Sequence, residues 1–213
     1  MGKIKGGILG GFSGKVGSVV GASWKGIDYI RSLPSSVRNP RTPGQVKQRN
    51  KFSAVINFLS QITPLLRIGF KNYTGQQSAF NAAMSYNILN AVTGTGADIT
   101  LNYPSVLISR GKLFGAPRGS ATVVESEIIL NWDSDVSGSA ALNDQAMVLL
   151  YNSTMGEAKY FVDECTRSEG GYMFEFTPAW KGCAVECYVG FVSEDGKDVS
   201  NSLYLGQVEI PLD

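Results

Sequence analysis

From residue 99 onward, apolar and polar positions alternate with a period of two. Ile128, Leu130 and Trp132 alternate with the residues between them, as do Tyr172, Phe174 and Phe176. The same criterion predicts short strands at 105–109, 121–124, 127–132, 146–151, 158–162, 172–176, 185–193 and 202–210. Turn signals separate them, among them Asp133-Ser-Asp135, Glu169-Gly-Gly171 and Glu194-Asp-Gly196. Short strands at this density predict an immunoglobulin-like or fibronectin-type sandwich over residues 99–213.

Upstream the period is helical. Thr42-Pro43 is a helix start, with Thr as N-cap and Pro at the first helical position. From there Val46, Phe52, Val55, Ile56, Leu59 and Ile62 mark an amphipathic helix to Ser60. Thr63-Pro64 repeats the signal for a short segment over 65–70, and Phe80, Ala83, Met84, Asn87, Ile88 and Ala91 predict a third helix over 78–92. Ahead of these, 15–20 and 27–33 are β-prone, and the turn-rich stretch 21–26 predicts a hairpin joining them. The expected fold is α+β in three parts: a glycine-rich basic arm and hairpin over 1–33, a helical segment over 34–98 and the sandwich over 99–213.

The first 26 residues hold nine glycines, so this arm is expected to order where something packs on it. Gly14-Lys15 suggests a phosphate-binding loop, but Val16 stands where that motif needs Ser or Thr. No stretch approaches a membrane span, and Lys15 interrupts what would be the apolar core of a conventional export signal.

Charge changes the picture more than composition does. The formal net charge is +1, yet residues 1–72 carry twelve basic side chains against one acid, Asp28. Seven basic and seventeen acidic residues follow. Three readings compete. The basic half neutralises phosphates on a nucleic acid; it meets the acidic half of another copy, head to tail; or the two signs neutralise each other within one monomer. On the first reading the contacts are Arg38, Arg41, Lys47, Arg49 and Lys51, with Trp24, Tyr29, Phe12 and Phe52 as stacking platforms. On the second, Phe12 and Trp24 are apolar anchors, and Lys15, Lys25, Tyr29 and Arg31 complete the surface that meets a neighbouring subunit. A third kind of function is a sandwich that binds a surface or a carbohydrate.

Candidate chemistry is sparse. The sequence has no histidine, which removes His-dependent nucleophile activation, acid–base work and His-ligated zinc. Cys165, Cys183 and Cys187 have neither zinc-like spacing nor an even count, and they read as small core residues. Asp133/Asp135, Asp163/Glu164 and Glu194/Asp195 sit in predicted turns, where solvated acids are the default. Asp133–Asp135 and Glu194–Asp198 offer hard oxygens for calcium without an EF-hand spacing. The expectation is a non-enzymatic protein with no cofactor and no resident metal.

Several blocks carry a resemblance. They are Gly11-Phe-Ser-Gly-Lys-Val-Gly17, Ser23-Trp-Lys-Gly-Ile27, Ile30-Arg-Ser-Leu-Pro34, Phe58-Leu59, Ile68-Gly-Phe70 and Phe80-Asn81-Ala82. Leu107-Ile-Ser-Arg-Gly111, Tyr188-Val-Gly-Phe-Val-Ser-Glu-Asp-Gly196 and Val199-Ser-Asn-Ser202 complete the set. In these the chain resembles, nearly end to end, an uncharacterised domain family known mainly from Bacteroidetes bacteria and viruses associated with them. The resemblance implies no assigned chemistry and no catalytic residues to carry over. A phage context would suit a virion or self-assembling structural role.

Overall fold

The computed structural model describes residues 2–4, 11–24, 27–36, 41–75, 77–94 and 98–212. The chain divides into two compact units, Met1–Arg41 and Thr42–Asp213. Together their elements make an α+β protein.

The first unit is an antiparallel four-stranded sheet of β1 (Lys3–Ile4), β2 (Phe12–Val16), β3 (Val19–Trp24) and β4 (Ile27–Ser32), ordered as in the chain. The predicted hairpin is there in part: β3 and β4 pair antiparallel and close at Trp24 and Ile27, inside the expected 21–26 connection. The strand β3 runs further than expected, through 21–24, and a second reversal, not expected from the sequence, lies at Gly17-Ser18 inside the predicted strand 15–20. Gly17 takes a φ of +56°, which suits the first central position of a two-residue hairpin loop. Gly21 serves close approach, not a turn: a Cβ there would lie 1.9 Å from the Phe12 carbonyl oxygen. Both uses select glycine, so composition alone does not tell the turn at Gly17 from the strand position at Gly21.

The second unit begins with α1 (Pro43–Gln61), capped by Thr42. A capping box closes its first turn: Gln45 N donates to Thr42 Oγ1 at 3.4 Å and Thr42 N donates to Gln45 Oε1 at 3.3 Å. α2 (Thr63–Gly69) follows, then a 3₁₀ turn at Lys71–Tyr73 and α3 (Ala79–Asn90), capped by Ser78. β5 (Val92–Thr93) and β6 (Thr100–Leu101) form a small ribbon.

The expected strand over 105–109 is absent. Tyr103–Ser105 forms a 3₁₀ turn, and side chains take the backbone bonds of the next residues. Leu107 N donates to Asn87 Oδ1 at 3.0 Å, Asn87 Nδ2 donates to the Leu107 carbonyl at 3.0 Å, and Ile108 N donates to Ser202 Oγ at 3.0 Å. Extended backbone satisfied by side chains needs no partner strand.

The remaining strands are β7 (Gly119–Val124), β8 (Glu127–Trp132), β9 (Gln145–Asn152), β10 (Glu157–Thr166), β11 (Gly171–Glu175), β12 (Ala184–Val192) and β13 (Leu203–Glu209). They form two antiparallel sheets, ordered β11-β8-β7 and β10-β9-β12-β13.

Two cores make the unit three-layered. Ile128, Leu130 and Trp132 of the smaller sheet pack with Val148, Leu150, Val185 and Cys187 of the larger one. The other face of the larger sheet, with Met147, Leu149, Tyr151 and Tyr188, packs under Val55, Phe58, Leu59, Leu65 and Leu66 of the helices. With both faces covered, β9 and β12 are buried at nearly every position, so their sequences read as continuous apolar runs. β8, closer to the outside, keeps a clean alternation.

Candidate functional site

In the N-terminal sheet the register sorts the expected interaction residues. Lys15 pairs with Val20, which pairs in turn with Arg31, and Tyr29 lies two positions from Arg31 on the same face of β4. Phe12 alternates to the opposite face of β2 from Lys15 and is half-buried. Lys15, Tyr29 and Arg31 are exposed, and two cations one strand apart give this face its positive sign. Trp24 ends β3, its backbone paired with Ile27. Lys25 and Arg38 lie outside the described residues. Asp28 sits on the face opposite Lys15 and Arg31, where its carboxylate lies beside Gly11. Phe12 is therefore on the other face of the sheet from Lys15, Tyr29 and Arg31, the residues it was expected to act with.

The other basic residues belong to the second unit or its entrance. Arg41 precedes the Thr42 cap, and Lys47 and Arg49 are exposed on α1. Lys51 is half-buried and Phe52 is exposed. The first turn of α1 carries no acid.

The reactive side chains of the second unit are held in structural work. Cys165, Cys183 and Cys187 are buried free thiols, and Cys165 and Cys187 belong to the core between the two sheets. Burial pushes the Cys165 and Cys187 thiols up to about 12, so neither is a thiolate at neutral pH. Tyr204 Oη donates to buried Glu186 at 2.6 Å and Gln207 Nε2 donates to it at 2.9 Å. Nearby, burial pushes the Tyr103 hydroxyl up to about 12 and Tyr188 higher still.

The acids expected in turns are tied locally, although Glu164 falls within β10 and not in a turn. Asp133 pairs with Arg118 at 3.0 Å, and Glu164 accepts from Tyr172 Oη at 2.7 Å. Hydrogen bonds from Lys197 and Ser193 hold Asp195 well below the usual carboxylate range. Among the described residues no three Cys, Asp or Glu side chains come together as a metal site would need. No described helix is long and apolar enough to cross a membrane.

A separate constellation gathers around Arg110. Its backbone N donates to the Gly69 carbonyl at 2.9 Å, and the next amide, Gly111 N, donates to Asn201 Oδ1 at 3.1 Å. Ser202 N donates to the Ser109 carbonyl at 3.1 Å, and Leu113 N to the Val199 carbonyl at 3.0 Å. Between these clamps the Arg110 guanidinium lies over the rings of Tyr73, at 4.5 Å, and Tyr86, at 5.0 Å. Gly111 is held so closely that a Cβ would lie 2.0 Å from the Val199 carbonyl oxygen. Gly111→Ala is therefore expected to destabilise the protein by about 1–3 kcal/mol in urea denaturation, as overpacked sites do.

The profile of a family of unknown function (DUF6266) matches residues 11–206. The chain belongs to this family. No curated protein matches it. The DUF6266 match spans both compact units, so the N-terminal sheet is part of what defines the family and not an appendage to it. In this member of DUF6266, Ile68–Phe70, Leu107–Gly111 and Val199–Ser202 meet at the Arg110 clamp. Reading for chemistry passed over Arg110, since a lone arginine has no periodicity and no motif spacing. The signal available was that three separate blocks of the resemblance needed a common place in the fold.

Proposed function

We propose that this protein is a non-enzymatic structural subunit that associates with further copies of itself through its N-terminal sheet. The observation that carries the reading is β4. All six of its residues are exposed, and it is the last strand of its sheet. An edge strand offers a row of free backbone donors and acceptors to another strand. This one adds apolar surface, with Ile27 66% and Ile30 64% exposed. Of Gly2, Lys3, residues 11–23 and residues 27–36, Gly21 alone is buried. A sheet with so little core gains most when a second surface covers it. Seven of the chain's basic residues fall in this unit with only Asp28 to offset them, and the acids of another copy supply the complementary charge.

The finer reading of the body is a fibronectin-type sandwich. Seven antiparallel strands in the orders β11-β8-β7 and β10-β9-β12-β13 support it, with one edge strand moved to the opposite sheet from the immunoglobulin constant arrangement. Such modules serve as spacers and adhesive units, which fits a virion component.

A second reading, nucleic-acid binding, is favoured by Lys47 and Arg49 exposed on a helix whose first turn holds no acid. Light scattering at low and high salt, with and without nuclease, separates the two. The full chain is expected to form a ring or growing polymer that survives nuclease, and a chain lacking residues 1–33 is expected to be monomeric. That truncation removes no residue of either core, so the body stays folded. An unchanged mass after truncation sinks the proposal, and association that needs nucleic acid moves the second reading to first place.

A further inference from the structure

We propose that the cleft beside Arg110 binds a carboxylate carried on an apolar body. The cleft has a volume of about 390 Å³, at the small end of the range for ligand pockets. Among the described residues Arg110 is its one charged lining residue. The guanidinium lies over the Tyr73 and Tyr86 rings, and the clamps at Gly69 and Asn201 fix the backbone that carries it. Contact with the rings leaves the guanidinium N–H donors unused. Among the described residues no carboxylate comes within salt-bridge distance of Arg110, and its side chain donates no hydrogen bond. An arginine held over two aromatic rings with an unspent fork of donors is available to a bidentate oxyanion.

The rest of the cleft selects among oxyanions. One positive charge and aromatic walls suit a monoanion better than a phosphate, whose second charge needs further cations to replace its water. Phe70 and the tyrosine rings offer apolar contact, and Leu89 on α3 is 80% exposed at the rim. Such a leucine gains by being covered. The Gln77 side chain supplies a polar group at the same opening. A carboxylate attached to an aromatic or aliphatic group, the size of one acidic side chain with its apolar neighbour, matches this lining.

Such a group arrives either as a free small acid or on an acidic segment of a second copy. Titration with phenylacetate, followed by NMR of the tyrosine ring protons, tests the site directly. Saturable shifts of Tyr73 and Tyr86 are expected in the millimolar range, weakened at least about tenfold in Arg110→Gln. Benzyl alcohol, which lacks the charge, should bind at least about tenfold more weakly, and inorganic phosphate should not saturate in the same range. Leu89→Ala, an exposed change that leaves the fold intact, should weaken phenylacetate about two- to tenfold, which keeps the test open if Arg110→Gln fails to fold. Equal shifts in Arg110→Gln, no saturation, or phosphate binding as tight as phenylacetate would overturn the assignment. The source is read from mass: if saturating phenylacetate lowers the light-scattering mass of the full chain, the natural carboxylate comes from a second copy. An unchanged mass assigns it to a free acid.

Discussion

Asp144→Ala is expected to cost about 3–5 kcal/mol, because it strands a buried charge. Arg167 is fully buried and donates to Asp144 Oδ2 through Nε at 3.3 Å and Nη2 at 3.1 Å. Its remaining donors reach the Phe114 carbonyl at 2.6 Å and the Asp135 carbonyl at 3.3 Å. The guanidinium lies 3.9 Å from the centre of the Phe191 ring, and the Arg167 carbonyl accepts from Trp132 Nε1 at 3.2 Å. One side chain thus ties the loops around residues 114, 135 and 144 to the core between the sheets. Without Asp144 the carbonyls still accept its hydrogen bonds, but nothing neutralises its charge. The same carboxylate oxygen also accepts from Ala141 N at 3.0 Å, so the loop loses a bond of its own. Against a total stability of about 5–15 kcal/mol, a loss of this size shifts the urea midpoint far or unfolds the protein. The double variant Asp144→Leu/Arg167→Met is expected to recover most of the loss, since it removes both charges and keeps apolar volume against Phe191. A loss under about 1 kcal/mol in Asp144→Ala would mean that water reaches the pair.

Neither partner of that ion pair stands out in the sequence, and the reason is general. Periodicity reports which face of an element is buried, so β8 and the Thr42 cap of α1 were legible to the residue. It is silent on contacts between loops far apart in the chain. Arg167, Arg110 and the extended run 106–109 all take their roles from partners twenty or more residues away. Glycine misled for a different reason. At Gly17 it marks a turn and at Gly21 a close strand approach, and the composition of the two stretches is the same to a sequence reading. The charge split is plain in the sequence, but it does not follow the structural division. The unit boundary at residue 41 leaves seven of the twelve N-terminal cations with the small sheet and five with the helices. The nucleic-acid contacts expected over 38–51 are thereby shared between the two units, while the assembly residues expected over 12–31 all fall in the first.

The helices, too, belong to a different partnership from the one their sequence suggests, and Phe58→Ala measures it. Read along the chain, 34–98 is a helical segment of its own. In the fold, Phe58 of α1 is buried against the larger sheet, its ring edge-on to Tyr151 of β9 at 4.6 Å and 6.3 Å from Tyr188 of β12. Tyr103, at 6.1 Å, closes the cluster, and its carbonyl accepts from Tyr188 Oη at 2.8 Å. Truncation to alanine removes a whole ring from a site walled by sheet and helix together, where little can collapse to fill it. The expected cost is about 3–5 kcal/mol. Its distribution is the sharper result. Helix unfolding is followed by far-UV circular dichroism. The sandwich is followed by fluorescence of Trp132 and Trp180, which lie in the other core, in a Trp24→Phe background that silences the N-terminal sheet. If the layers unfold as one cooperative unit, both signals move to lower urea together and by the same amount. A helical transition that moves while the tryptophan transition stays in place would make the helices a separate domain resting on a self-sufficient sandwich. The continuous burial of β9 and β12 argues for the first outcome, because a sandwich without the helices would leave Met147, Leu149, Tyr151 and Tyr188 facing water.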